Sequence, residues 1–121
     1  MAHIVTLPTH SESRGNLTVI EKEIPFDIKR IFYIYGVDDT VRGGHRHKIT
    51  KQAAICINGS CIVSNNNGEV EEDFLLDHPS KCLLINPEDW HTMHHFTPDA
   101  VLLVLASTSF NTDDYIYEKY K

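Results

Sequence analysis

The apolar residues of this chain fall in short runs rich in Ile, Val, Phe and Tyr, and a turn signal closes each run within a few residues. The runs are 17–21, 30–35, 53–57, 60–64, 74–76, 82–85 and 101–106. β-Branched and aromatic side chains fit the pleated, half-buried surface of a strand. Between the runs stand Gly15-Asn16, Asn58-Gly59, Asn67-Gly68, Asn86-Pro87 and Pro98-Asp99. Asn-Gly pairs accept positive φ at both central positions and favour tight hairpins. No segment before the tail sustains a 3.6-residue period. The tail, 113–121, mixes both periods through Tyr115, Tyr117 and Tyr120 and reads equally as a final strand or one helical turn. Many short strands at close spacing point to an antiparallel sandwich or barrel.

A length of 121 residues fits one domain, 1–121, with a core of its own. The net charge is −6 and no Lys/Arg block occurs, so nucleic-acid binding by a basic patch is not expected. The N-terminus lacks a positive segment followed by an apolar run. The longest apolar stretch, 100–106, is too short for a membrane helix. A cytoplasmic protein with no membrane partner is the expectation. Cys56, Cys61 and Cys82 are odd in number and form no CxxC pair, so they read as small core residues.

The segment with chemistry in it is Arg42-Gly43-Gly44-His45-Arg46-His47-Lys48-Ile49-Thr50-Lys51-Gln52. Side chains alternate along a strand, so His45 and His47 share a face, about 7 Å apart along the chain. If that face lines a barrel interior, two imidazoles meet in one cavity. Gly43 and Gly44 allow a bend or a close backbone approach. The bland alternative is a pair of partly exposed surface histidines.

These residues resemble the cupin motifs. The first motif places a glycine before HxH, an acidic residue three or four positions on, and a glycine six residues further. Here Gly36, His45-Arg46-His47, Gln52 and Gly59 correspond, although Gly36 lies further from the HxH than the pattern asks. The second motif is a Pro-x-Gly turn followed by histidine. Its nearest match is Pro87-Glu88-Asp89-Trp90-His91, with Asp89 in the glycine position. The resemblance implies an all-β fold, the cupin jelly-roll antiparallel barrel. Metal-binding cupins use the acidic residue as a ligand; Gln52 stands there, and a neutral amide is a poor ligand for a divalent cation. No metal and no other cofactor is therefore expected.

RGGHRHKITKQ is similar to the RGxHxHKxxxQ signature of the sugar 3,4-ketoisomerases, cupins acting on a nucleotide-linked 4-keto-6-deoxyglucose. Segments 13–17, 30–35, 57–61, 90–93, 101–107 and 114–116 agree in order, so the resemblance spans nearly the whole chain. It implies a dTDP-linked keto-sugar as substrate and a homodimer, with exchange of N-terminal strands. It also implies catalytic roles for His45, His47 and Tyr33, the last as a hydroxyl donor in the pocket. Arg42 and Arg14 are then the candidates for the pyrophosphate, since guanidinium binds phosphate bidentately. Gln52, Trp90 and His95 complete the substrate-binding set. An Arg at position 14 and a His at 95 lean toward the galacto-configured 3-keto product. The expected pathway is that of a 3-amino-3,6-dideoxy sugar for a surface glycan. A metal-dependent cupin enzyme using His91 as a third imidazole, a 3,5-epimerase and a non-catalytic sugar-binding module are the competing readings.

Overall fold

The computed structural model describes residues 1–121. Its strands are β1 (His3–Thr6), β2 (Thr9–Glu12), β3 (Gly15–Thr18), β4 (Arg30–Ile34), β5 (Arg42–His47) and β6 (Gln52–Asn58). They continue as β7 (Cys61–Asn66), β8 (Glu71–Leu76), β9 (Lys81–Ile85), β10 (Trp90–His94), β11 (Val101–Ala106) and β12 (Tyr115–Ile116). The only helical element is a 3-10 turn, Thr112–Asp114. No helix is long and apolar enough to cross a membrane.

Two five-stranded sheets carry the fold, in the orders β1-β9-β6-β11-β4 and β12-β5-β10-β7-β8. Every pairing is antiparallel. This is the jelly-roll barrel of the cupins. The two sheets bury one apolar layer between them: Ala54, Leu83, Leu102 and Val104 from the first face Val63, Phe74, Leu76 and Met93 from the second. A second cluster lies on the other face of the first sheet, where Leu7 and Ile24 cover Ile55, Cys82 and Leu105. That double cover explains β6. Its residues 52–56 are buried without alternation, because both faces of the strand are occupied. β7 has one covered face and alternates buried with half-buried residues. Cys56, Cys61 and Cys82 are all buried free thiols, as their spacing implies.

One turn expectation is corrected. Asn58-Gly59 does not close a hairpin. It is the corner where the chain leaves the first sheet for the second, and β6 and β7 do not pair. Only Gly59 takes positive φ, at 66°, while the Asn58 amide donates to the Asp99 carbonyl at 2.8 Å. By contrast Asn67-Gly68 does close the β7–β8 hairpin, with the Asn67 side chain accepting from the N–H of Glu69 and Val70 at 2.9 and 2.8 Å. The tail satisfies both of its readings in turn. Asn111 caps the 3-10 turn through its side chain, 3.0 Å from the Asp113 N–H, and Tyr115 then pairs with His47 as β12 begins.

The hairpin β2–β3 pairs with no other strand. The strand expected over 17–21 ends at Thr18. Strands β1, β2 and β10 carry too few apolar residues to announce themselves; ladder bonds to neighbours hold them instead.

Candidate active site

The site begins with a backbone irregularity. β5 and β10 pair with His45 opposite His91 and Gly43 opposite Thr92, so Gly44 has no partner and forms a bulge. Gly43 and Gly44 have φ of 82° and 83°, the left-handed region that only glycine enters at low cost. A Cβ on Gly43 would lie 2.9 Å from the His91 carbonyl oxygen. The glycine thus lets β10 close onto β5.

Three imidazoles meet there. The ring centroids of His45 and His47 are 5.0 Å apart, those of His45 and His91 5.1 Å, and those of His47 and His91 6.5 Å. Tyr115 packs its ring 4.8 Å from His45 and 4.7 Å from His47. His91 is buried, and its Nδ1 lies 3.0 Å from the Asp89 carbonyl oxygen. A carbonyl only accepts, so Nδ1 carries the proton and Nε2 keeps its lone pair. Asp89 in turn is locked in the 86–89 turn: its carboxylate accepts from the Asn86 N–H at 2.8 Å and from Asn65 Nδ2 at 3.0 Å. His47 is buried as well, with Nδ1 2.7 Å from Asp114 Oδ2 and a buried Nε2 that has no partner.

The electrostatics keep these rings neutral. Burial is the main cause that pushes His45 down to about 4, helped by the neighbouring His91 and His47. Burial also lowers His47, against the hydrogen bond and charge of Asp114, with Arg30 adding a smaller push downward. Burial lowers His91 against its bond to Asp89. For Asp114 burial acts upward, but the hydrogen bonds from Thr50, the Ile49 N–H and His47 outweigh it and bring the carboxyl down to about 2. An uncharged imidazole can accept a proton from carbon or donate a hydrogen bond to a developing oxyanion.

A pH dependence of stability follows. Unfolded histidines bind protons near pH 6.5, whereas these folded rings resist protonation. Stability rises with pH wherever the unfolded state holds more protons. The histidine contribution is therefore complete above pH 6.5 and is lost as pH falls from there toward 4. Asp114, lowered to about 2, acts in the same direction below its ordinary carboxylate value. The thermal midpoint is expected to drop by about 5 °C or more between pH 7 and pH 4.5, and less in a His45→Asn variant. A midpoint that stays flat over that interval contradicts the assignment.

Between the sheets, beside His45 and His91, lies a cavity of about 150 Å³. Phe32, Ile34 and Val104 supply its apolar wall from the first sheet, and Gln52, Arg42 and Tyr115 its polar groups. His47 does not line this cavity, but its ring packs against His45 and Tyr115, which do. The structure thus brings together His45, His47, Arg42 and Gln52 of the residues singled out in the sequence.

Four others lie elsewhere. Tyr33 alternates with Phe32 and Ile34 on β4, so its ring is on the outer face, exposed and stacked on Tyr35 at 5.8 Å. The pocket placement expected for Tyr33 is corrected: the tyrosine on the cavity is Tyr115. Trp90 precedes His91 and points to the opposite face of β10, where its Nε1 donates to the Tyr117 carbonyl at 3.2 Å. Arg14 is exposed on the β2–β3 turn and pairs with Glu12. His95 follows β10 with a left-handed φ of 54° and packs on His94 at 4.7 Å. Asp114 and Tyr115 carried no assigned role in the sequence. Their signal was their order within the family resemblance, since nothing local ties a carboxylate in the tail to a histidine on β5.

The whole chain, residues 1–121, matches the family model described as "FdtA: WxcM-like, C-terminal". A TDP-4-oxo-6-deoxy-alpha-D-glucose-3,4-oxoisomerase of Aneurinibacillus thermoaerophilus is 43% identical over 115 residues, covering 91% of this chain and 83% of that protein. The crystal structure of a 3,4-ketoisomerase from Helicobacter canadensis superposes with a TM-score of 0.92 at 39% identity, over 97% of this chain and 90% of that one. A histidine-to-asparagine mutant of the 3,4-ketoisomerase of Thermoanaerobacterium thermosaccharolyticum, in complex with TDP-4-keto-6-deoxyglucose, superposes with a TM-score of 0.93 at 40% identity, over 97% and 87% of the two chains. With the jelly-roll barrel and the histidine cluster in place, these matches show that the chain belongs to the FdtA/WxcM-like family of cupin-fold sugar 3,4-ketoisomerases.

Proposed function

We propose that this enzyme converts dTDP-4-keto-6-deoxy-D-glucose into a dTDP-3-keto-6-deoxyhexose by histidine acid/base chemistry. The observation that carries the reading is the trio of neutral imidazoles beside a cavity that also holds Arg42 and Gln52. The relatives' substrate is the same keto-sugar. The ketone at C4 acidifies the C3–H. A base removes that proton, and the electron pair forms the C3=C4 bond of an enediolate with its charge on O4. The O3 proton is then relinquished as the C3 carbonyl forms, O4 becomes a hydroxyl, and C4 receives a proton. The exchange has no net oxidation, so it needs no redox cofactor. His47 is the proposed base at C3, because its Nε2 is unpartnered. His45 is suited to polarise O4 or to serve C4. Arg42 is the group for the pyrophosphate.

The proposed product is the galacto-configured 3-keto sugar, on the strength of Arg14 and His95. A 3-ketone is the group an aminotransferase requires, which fits a route to a 3-amino-3,6-dideoxy sugar of a surface glycan, made in the cytoplasm. The proposed assembly is a homodimer. In the isolated chain β1 pairs with β9 of its own sheet, yet the β2–β3 hairpin with Arg14 pairs with nothing else. Ile31, Tyr33 and Tyr35 also lie exposed along the edge strand β4 and the residue after it. N-terminal exchange would carry Arg14 to a second copy. A monomer by light scattering at micromolar concentration would count against this assembly.

The deciding experiment incubates the protein with dTDP-4-keto-6-deoxyglucose and follows the sugar by NMR. A 3-keto product is expected, and the coupling of the new C4 proton reports its configuration. An unchanged spectrum sinks the reading. Exhaustive chelation is expected to leave the rate unchanged, because the amide of Gln52 faces the cavity where a ligand carboxylate would stand. Activity lost to EDTA and restored by one divalent ion would favour the metal-dependent alternative.

A further inference from the structure

Asp114 reaches the histidine cluster across 67 positions of sequence. It ends the 3-10 turn of the tail, and its carboxylate is fully engaged. Oδ1 accepts the N–H groups of Lys48 and Ile49 at 3.1 and 2.8 Å. Oδ2 accepts His47 Nδ1–H at 2.7 Å and a short bond from the Thr50 hydroxyl. Thr50 is steadied by the Thr108 hydroxyl at 2.7 Å. Four donors occupy the lone-pair directions of the two oxygens, so the carboxylate plane cannot turn. Two of the donors are backbone of the segment that follows His47, which ties the orientation of the acid to the strand that carries the imidazole.

An ionised carboxylate accepts only. His47 can therefore face it with Nδ1 only when that nitrogen is protonated, and Nε2 is left with its lone pair. That Nε2 is buried and unpartnered, an arrangement that is costly in a folded chain. No other group competes for the Nδ1 proton. The remaining neighbours of the ring are His45, His91 and Tyr115 by packing, with Arg30 acting on it by charge.

We propose that Asp114 is the positioning residue of this enzyme: it fixes His47 in the Nδ1–H tautomer, and Lys48, Ile49 and Thr50 fix Asp114. The inference rests on the isomerase reading for what Nε2 acts upon, but not for the tautomer itself. The rival is a structural tie that merely anchors the tail to β5.

Asp114→Asn separates the two. The amide oxygen still accepts from Lys48 and Ile49, while its NH₂ faces Nδ1 and turns the ring to the Nε2–H tautomer. In ¹⁵N NMR of the ring, with no substrate present, the wild type is expected to show a protonated Nδ1 and the variant a protonated Nε2. With the keto-sugar, kcat is expected to fall about 10²–10⁴-fold with KM little changed; the same inversion in the Ser-His-Asp triad costs about 10⁴. Unchanged ring signals together with unchanged kcat, at a lowered melting temperature, would overturn the proposal in favour of the tie. If the wild type leaves the sugar untouched while the ring signals still invert, the isomerase reading fails and the positioning role stands. If Asp114→Asn does not fold, Thr50→Val keeps the charge and removes one competing donor. The His47 titration midpoint should then move upward, and a midpoint that does not move overturns the proposal.

Discussion

His47→Asn and His45→Asn are each expected to lower turnover of the keto-sugar by ~10²-fold or more, the usual scale for a positioned acid–base group, with nucleotide affinity nearly intact. His45 borders the cavity and the His47 ring packs against the His45 ring, 5.0 Å away between centroids. The guanidinium suited to phosphate, Arg42, lies at the other end of β5 from His47. On the proposed mechanism, losing an imidazole would remove proton transfer and leave the proposed phosphate contact in place. Asn is smaller than His and is no base near neutral pH. The two variants should differ in their side effects. His47→Asn leaves the charged Asp114 without its ring partner, so it should also lower the melting temperature. His45→Asn removes a ring whose protonation is opposed by burial, so it should flatten the acid side of the stability profile. Turnover, dTDP affinity by calorimetry and melting curves for both variants test the whole pattern. Wild-type turnover in both would mean that the HxH is structural.

Gly59→Ala is expected to cost roughly 3 kcal/mol of stability, by adding left-handed strain to overpacking. Gly59 has a φ of 66°, and a Cβ there would lie 2.2 Å from Thr97 Oγ1 and 2.9 Å from the Ala100 Cα. Thr97 cannot simply rotate away, because its hydroxyl accepts the Ser60 N–H at 2.9 Å and its own N–H donates to the Ser60 carbonyl at 3.0 Å. The corner that transfers the chain between the sheets is thus built against a second loop with no space for a methyl group. Gly36 supplies the control. Its φ is 64°, and nothing lies within 4 Å of its Cβ position, so Gly36→Ala should cost about 1 kcal/mol from backbone strain alone. Denaturant unfolding of both variants isolates the steric part. Equal losses would show that the 97–100 loop yields.

What the sequence made legible was local. Runs such as 101–106 announced strands because their apolar content matches a pleated surface, and β11 spans those residues. The HxH announced a shared face because alternation has a period of two, and His45 and His47 do share one. Gln52 and Arg42 came with the same segment and reach the same cavity. Tyr33 shows where that logic stops. Period two places Tyr33 opposite Phe32 and Ile34, but nothing in the pattern says which face of β4 meets the pocket; packing of Phe32 and Ile34 into the core decided it. Trp90 and His91 divide in the same way on β10: the cupin resemblance named His91 as the motif histidine, and the ladder with β5 sets it opposite His45.

The Asn-Gly signals illustrate a second limit. Asn58-Gly59 and Asn67-Gly68 are the same dipeptide, yet one is a corner between sheets and the other closes a hairpin. A turn signal fixes that the chain bends and leaves open which strands lie beside each other afterwards, since ladder partners are chosen by burial over the whole sheet. Asp114 and Thr108 were beyond any local reading for the same reason. By itself the sequence determined strands, their faces and a pair of histidines on one of them. The cupin resemblance named His91 as a third imidazole; only the tertiary structure decided which tyrosine and which carboxylate stand against that pair, because those contacts are long-range and arise from closing two sheets over one core.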